Sequence, residues 1–148
     1  MADRKEATRK ILEAKAARKL TFADIAAKVG RSEVWTASAL MGQASMSAEE
    51  AGAVTAALGL GPEVAQALEE IQSRGSLDAA VPVDPLIYRW YEIVQVYGTT
   101  IKALIHEKFG DGIMSAIDFE MYVEKVPDPK GDRVKVTMHG KFLPYRKW

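Results

Sequence analysis

An arginine and a glutamate, three residues apart, interrupt a stretch of aromatic and aliphatic side chains in the second half of the chain. Residues 88–98 read YRWYEIVQVYG, and Arg89, Glu92 and Gln95 are the polar positions inside this stretch. At about 100° per residue in a helix, these three residues share one stripe about 120° wide, and most of the remaining circumference is apolar. A guanidinium oriented by a carboxylate is a suitable receptor for small anions. An exposed ion pair on the wet face of a helix is the alternative, and the spacing alone leaves both interpretations open.

Other polar residues offer less specific chemistry. Ser115 in GDGIMSAIDF is predicted to be either a turn hydroxyl or an oriented hydrogen-bond donor. His106 lies near a predicted helix end, where a histidine often meets the helix dipole, and His139 is predicted to be exposed on a strand. The chain has no cysteine, which excludes disulfides, thiolate nucleophiles and cysteine-ligated metals. No Ser/His/Asp order, phosphate-binding loop or metal-ligand spacing is found.

Residues 1–75 predict a compact five-helix bundle of the repressor-like, helix-turn-helix type. Alanine, lysine, glutamate and arginine, all good helix formers, fill residues 3–18. The later helices begin at recognisable capping or first-turn residues: Thr21 with Asp24, Ser32, Ser47 with Glu50, and Pro62. The bundle would therefore fold from short helices separated by glycine, serine and threonine.

Residues 76–85 are predicted to be a linker, and residues 86–148 a catalytic and oligomerisation domain. The pattern indicates two helices, interrupted at Gly98, followed by a β-hairpin whose turn is PDPKGD. The fold class is thus α+β. Two helices and one hairpin carry more large apolar side chains than a unit of this size can enclose, and an isolated hairpin leaves its edges open. We therefore expect partner subunits to cover this half.

The helix-turn-helix pattern in LTFADIAAKVGRSEVWTASALMG raises the possibility of DNA binding. Arg31 is the one basic residue between positions 29 and 60, however, and each half of the chain carries 10 basic and 10 acidic side chains. Phosphate-backbone affinity scales with lysine and arginine contacts, so a structural or assembly role is favoured over nucleic-acid binding. A DNA-binding regulator and a catalytically inert oligomeric scaffold remain the alternatives to an enzyme.

Neither a membrane span nor an export signal is predicted. No apolar run approaches the roughly 20 residues that a bilayer crossing needs. The start, MADRKEATRK, lacks the apolar core of a signal peptide. The cytoplasm is the expected compartment.

The segment YRWYEIVQVYGTTIKALIHEKFGDGIMSAIDF closely resembles the C-terminal catalytic segment of cyanases, also called cyanate hydratases or cyanate lyases. The resemblance continues through nearly the whole chain, from the repressor-like bundle to a terminal hairpin ending in GKFLPY. In that family the catalytic residues are an arginine and a glutamate on one helix and a serine in the following turn. The matching positions are Arg89, Glu92 and Ser115, and all three are present.

The resemblance implies bicarbonate-dependent decomposition of cyanate to ammonia and carbon dioxide, through a carboxy-carbamate and then carbamate, without metal or organic cofactor. It also implies a homodecamer built as a pentamer of dimers, with sites at subunit interfaces, and a helical bundle that does not bind DNA. Cyanate and bicarbonate would be the small-molecule partners. Detoxification and nitrogen supply are both compatible physiological roles.

Overall fold

The computed structural model describes residues 3–75, 77 and 79–148. The chain divides into two compact units, Met1–Ser76 and Leu77–Trp148. Residues 76 and 78 of the predicted linker lie outside the described residues, and the assignment of residues 76–85 as a linker stays a prediction. Within the described residues, six helices and one antiparallel hairpin confirm the predicted α+β class.

The first unit contains the five predicted helices, and local capping chemistry sets their starts. The bounds are α1, Arg4–Ala17; α2, Phe22–Val29; α3, Glu33–Leu40; α4, Ala48–Leu58; and α5, Pro62–Glu69. Thr21 with Asp24, and Ser47 with Glu50, form complete capping boxes in which each side chain accepts a hydrogen bond from the partner's backbone N–H. Gly30 ends α2 with a φ of 76°, a left-handed conformation that glycine adopts at little cost.

One apolar core holds these five helices together. Helices of 8 to 14 residues are marginal by themselves in water, so tertiary packing must supply most of their stability. Each helix contributes to a shared set of fully buried aliphatic side chains: Ile11, Ile25, Leu40, Val54, Leu58, Val64 and Leu68.

The second unit begins with a single long helix, α6, which spans Pro85–Phe109. The sequence predicts two helices here with an interruption at Gly98, and that prediction is wrong. Gly98 lies inside the helix without a positive φ, and the nearest atom to a Cβ built on it is Cγ1 of Val94 at 3.7 Å. A glycine inside a helix costs about 1 kcal/mol, which a helix of 25 residues can absorb. Among the described helices, none combines the length and hydrophobicity that crossing a bilayer requires.

Two antiparallel strands follow α6, with β1 spanning Gly112–Val126 and β2 spanning Arg133–Pro144. The predicted turn joins them, and Asp128 stabilises that turn by accepting the N–H of Lys130 at 2.8 Å. The pairing shifts register between Met114 and Phe119, where residues 115–118 of β1 form a bulge. The sequence predicts Ser115 in a turn after the helix. The structure instead places it in this bulge inside β1, because the strand begins earlier than the alternating pattern indicated.

Candidate active site

The arginine–glutamate pair lies near the start of α6, which the sequence positions by local chemistry. The Asp84 side chain accepts the backbone N–H groups of Leu86 and Ile87, both at 2.9 Å, and Pro85 occupies the first helical position. Arg89 and Glu92 then lie one helical turn apart on the same face. Arg89 Nη1 is 3.4 Å from Glu92 Oε2, which confirms that the two side chains are neighbours.

In a single chain this pair is open to solvent. The Arg89 and Glu92 side chains are 66% and 48% exposed. The guanidinium carbon also lies 6.0 Å from the centre of the Tyr88 ring, at the outer limit of a cation–π contact. Within the described residues, the Arg89 side chain makes one hydrogen bond, and that bond uses only one of the five N–H donors of the guanidinium. The remaining donors are available to an anion.

The surroundings of the pair are strongly apolar and uncovered. No residue of α6 is buried, although the helix is rich in large hydrophobic side chains. Those with at least 39% exposure are Leu86, Ile87, Trp90, Ile93, Val94, Val96, Tyr97, Ile101, Leu104 and Phe109. A contiguous exposed apolar surface on this scale is typical of a protein–protein interface.

Ser115 is held in a defined orientation by the β1 bulge. Its hydroxyl oxygen accepts hydrogen bonds from the backbone N–H groups of Ile117 at 3.0 Å and Asp118 at 2.9 Å. A serine hydroxyl has two acceptor positions and one donor. Both acceptor positions are filled, so the O–H proton remains free to donate. The residue is only 6% exposed. Ser115 is therefore arranged to donate one hydrogen bond.

The structure brings two of the three predicted site residues together. Arg89 and Glu92 are paired, whereas no hydrogen bond or ion pair among the described residues joins Ser115 to either of them. All three belong to the second unit. Their assignment as catalytic residues stays a prediction.

A second polar cluster on the hairpin was not found by sequence reasoning as a group. His139 is 66% exposed, as predicted, and its Nε2 lies 3.3 Å from Glu120 Oε2. The Tyr122 hydroxyl donates to the same carboxylate at 2.6 Å, and this bond raises the pKa of Tyr122 above its usual value. Glu120 and His139 are paired across the two strands, and the one-dimensional pattern does not give this pairing. An open cavity of about 290 Å³ lies beside them, lined by Asp118, Phe119, Glu120, His139, Gly140 and Lys141.

Metal ligands are not grouped anywhere in the described ranges. No three histidine, aspartate or glutamate side chains there lie close enough together to hold an ion.

In the helix-turn-helix segment of the first unit, Arg31 contacts side chains of the same unit. Arg31 Nε lies 2.5 Å from Glu50 Oε1, and the guanidinium carbon lies 5.6 Å from the centre of the Trp35 ring. Hydrogen bonding from the backbone N–H of Ser47, followed by the contact with Arg31, holds the pKa of Glu50 below its usual value. The carboxylate is therefore ionised at neutral pH and competes with phosphate for Arg31.

Two family models match this chain, one within each of the two units. "Cyanate hydratase, N-terminal" matches residues 4–72, and "Cyanate lyase C-terminal domain" matches residues 79–147. Among solved structures, a cyanase from T. urticae superposes with a TM-score of 0.83 at 39% identity, covering 93% of this chain and 96% of that chain. The family models and this structural match thus define an enzyme of the lyase class.

Curated relatives agree over nearly the full length. The cyanate hydratase of Acaryochloris marina is 59% identical over 143 residues, which is 97% of each chain. The cyanate hydratase of Synechococcus sp. strain CC9311 is 59% identical over 141 residues, covering 95% of this chain and 94% of its own. The chain belongs to the cyanate hydratase family.

Proposed function

We propose that this enzyme decomposes cyanate in a bicarbonate-dependent reaction that yields ammonia and carbon dioxide. The observation that carries the proposal is the Arg89–Glu92 pair on a helix rich in exposed apolar side chains, in a chain 59% identical to a relative named cyanate hydratase. Two small anions must be held together for this reaction. A cation with unused donors and an oriented hydroxyl suit that task better than a strong base would.

The proposed reaction balances with two protons taken up. A bicarbonate oxygen forms a bond with the cyanate carbon, while the nitrogen receives the proton that bicarbonate loses and a second proton from solvent. The bond between the former bicarbonate carbon and the bridging oxygen then breaks, which releases carbon dioxide and leaves carbamate. Carbamate takes up the other proton and breaks down to ammonia and a second carbon dioxide.

Each proposed catalytic residue has a role that its geometry suits. Arg89 binds the carboxylate-like oxygens and offsets their charge, because its planar donors match two oxygens at once. Glu92, 3.4 Å from Arg89, orients the guanidinium. Ser115 donates its free O–H to the oxygen on which negative charge develops, since both acceptor positions of its hydroxyl are filled.

An isotope experiment tests both the bicarbonate requirement and the intermediate. Cyanate labelled with carbon-13 is mixed with bicarbonate labelled with oxygen-18, and the carbon dioxide that carries carbon-13 is followed by mass spectrometry from the start of the reaction. Attack by bicarbonate puts one oxygen-18 atom into the carbon dioxide that carries carbon-13. Direct attack by water would leave that carbon dioxide without oxygen-18, and ammonia release independent of bicarbonate would refute the proposal.

Substitution of Arg89 has a close control in the first unit. Arg9 on α1 also pairs with a glutamate three residues away, Glu6, and the Arg9 side chain is similarly exposed at 55%. We expect Arg89→Ala to lower kcat/KM by about 100- to 1,000-fold, in line with the loss of a charge-stabilising donor in a catalytic site. Arg9→Ala should leave turnover unchanged. Equal effects of the two substitutions would contradict a catalytic role for Arg89.

The proposal includes a homo-oligomer, a pentamer of dimers, with sites at the contacts between subunits. The absence of any buried residue on α6 supports a cover made by further copies of the chain. Such contacts would also gather several copies of Arg89 at one site. A single exposed arginine offers little positive charge to hold two anions together. Light scattering of the purified protein gives the assembly mass, and a monomer that retains full activity would contradict this arrangement.

Mixed oligomers test whether different subunits complete one site. Arg89→Ala and Ser115→Ala chains are unfolded together and refolded as a mixture, and their activity is compared with each variant refolded alone. If Arg89 and Ser115 of one site come from different subunits, the mixture recovers activity that neither variant has. A mixture as inactive as its components would place both residues of a site on one chain.

The proposal needs no metal or organic cofactor, since the three side chains and bicarbonate supply the chemistry. Prolonged dialysis against a chelator should leave turnover unchanged, and a loss of turnover that added metal restores would contradict this part of the proposal.

The cytoplasmic location stays a prediction that cell fractionation would test. Binding of duplex DNA at low salt would revive the regulator alternative, which the internal engagement of Arg31 disfavours.

A further inference from the structure

The bulge that carries Ser115 lies against a glycine of the opposite strand. In the hairpin register, Met114 pairs with Phe142 and Phe119 pairs with Gly140. The residues between the two pairs, 115–118 on β1, therefore face only Lys141 on β2. The extra backbone of β1 has to fold into the space beside Gly140.

A side chain at position 140 would occupy that same space. A Cβ built on Gly140 would overlap the carbonyl oxygen of Ser115 and come within 2.9 Å of Met114 Cγ and 3.3 Å of the Asp118 carbonyl oxygen. All three neighbours belong to the bulge or to its first flanking residue. The overlap with Ser115 involves backbone, which cannot move aside as the end of a flexible side chain can.

Glycine is required at this position because a side chain would not fit, and not because the backbone adopts a positive φ. Gly140 is absent from the glycines with positive φ, in contrast to Gly30 and Gly59 at the helix ends of the first unit. An alanine at 140 would therefore meet no conformational penalty of its own. Its whole effect would fall on the bulge that it touches.

We propose that Gly140 is a positioning residue for the Ser115 hydroxyl. By lacking a side chain, it lets the bulge approach β2 closely enough for Ser115 Oγ to accept the N–H groups of Ile117 and Asp118. Those two hydrogen bonds direct the remaining O–H proton toward the anion. The catalytic consequence rests on the function proposed above, whereas the geometric part stands independently of it.

A displacement of the bulge would matter because catalytic geometry is sensitive to small shifts. Relief of the overlap requires the Ser115 backbone to move by roughly 1 Å, and a misplacement of that size can cost on the order of 100-fold in rate. We expect Gly140→Ala to lower kcat at least about 10-fold, equivalent to about 1.4 kcal/mol in the barrier. An interaction made mainly in the transition state lowers kcat and kcat/KM together.

The experiment is a double-mutant cycle between positions 140 and 115. If Gly140 acts through Ser115, Gly140→Ala should cost less than about 2-fold further when it is added to Ser115→Ala. Gly52→Ala is the matched control, because a Cβ at Gly52 has no neighbour within 4 Å and its φ is not positive. Val134→Ala, at an exposed position of β2, controls for general effects on the strand. Both controls should keep wild-type kcat.

Amide hydrogen exchange supplies a readout that does not depend on turnover. The Ile117 and Asp118 amides should exchange faster in Gly140→Ala than in wild type, and the Gly52→Ala protein should show no such change. If the wild-type protein does not turn over cyanate, the proposed function fails while this measurement still decides the role of Gly140.

Three outcomes would overturn the proposal. One is a Gly140→Ala enzyme with kcat within about 2-fold of wild type. Another is an equal loss in the presence and absence of the Ser115 hydroxyl, which would indicate a general structural effect. The third is a Gly140→Ala chain that fails to fold, because the glycine would then be required by the hairpin as a whole.

Discussion

Replacing Ser115 by alanine separates two functions of one hydroxyl group. The oxygen accepts the N–H groups of Ile117 and Asp118 at 3.0 and 2.9 Å, and the proton is left to donate to a ligand. Ser115→Ala removes the donor and both acceptor positions at once. The loss of the donor should appear in kcat, and the loss of the acceptors should appear in stability.

The structure allows each loss to be estimated. Removal of one donor that stabilises developing negative charge typically costs about 100- to 1,000-fold in kcat, or about 2.7–4 kcal/mol. A buried amide left without a partner costs about 1–3 kcal/mol, but Ile117 at the bulge is 98% exposed, so water can replace part of what is lost. We therefore expect a stability loss of about 1–2 kcal/mol, and each kcal/mol lowers Tm by about 3 °C in a chain of this size.

Steady-state kinetics and thermal unfolding measure the two losses on the same preparation. Ser32→Ala is the control, because Ser32 also accepts a backbone N–H, that of Trp35 at 3.3 Å, but caps α3 in the first unit. It should lower stability by about 1 kcal/mol and leave kcat unchanged. A Ser115→Ala enzyme that keeps more than about one tenth of wild-type kcat would refute the reasoning, since a donor contributing so little cannot be the main stabiliser of the oxyanion.

Three further predictions concern other parts of the molecule. Glu92→Gln keeps a hydrogen-bond acceptor for Arg89, so kcat should stay within about 10-fold of wild type; complete loss would instead indicate proton transfer by Glu92. Leu104→Asp, on the uncovered surface of α6, should reduce the assembly mass in light scattering, and an unchanged mass would remove this position from the interface. Hydrogen bonding from the Ser47 N–H lowers the folded-state pKa of Glu50 below its usual 4.5, so the contribution of Glu50 to the free energy of unfolding is complete at neutral pH and is lost as the pH falls below 4.5. Urea unfolding at neutral pH and below pH 4.5 should therefore show a smaller loss of stability for Glu50→Gln than for wild type, and an equal loss would contradict this role of Glu50.

The first unit was predictable because its signals are local. A capping box depends on two residues three positions apart, so Ser47 and Glu50 indicate the start of α4 without any knowledge of the tertiary structure. The neighbourhood of Arg89 and Glu92 follows in the same way from helical spacing. Sequence reasoning succeeds where the partner lies within one helical turn.

The continuity of α6 and the place of Ser115 depend on backbone conformation and strand register, which neighbouring residues in the sequence do not determine. The sequence predicts a helix stop at Gly98, but a glycine ends a helix only when the chain turns there, usually in the left-handed conformation. Gly98 does not adopt that conformation. The bulge at Ser115 depends on Gly140, which lies 25 positions away and contacts it only through the strand register. A glycine inside a predicted strand was the one available signal of close backbone approach.

The exposure of Arg89 explains why the single chain cannot be the complete catalytic unit of the proposed reaction. Two unit charges 4 Å apart interact by about 1 kcal/mol in water and by about 4 kcal/mol at an effective dielectric constant of 20. An arginine that is 66% exposed is close to the first case, so it offsets little of the repulsion between cyanate and bicarbonate held together.

Covering the apolar surface of α6 with further copies of the chain would lower the local dielectric constant and strengthen each contact of the guanidinium with the anions. It would also increase the repulsion between the anions, so the arrangement becomes favourable only if more than one arginine reaches them. Assembly and catalysis are therefore coupled in this proposal, and a variant that dissociates should lose activity even with Arg89, Glu92 and Ser115 intact.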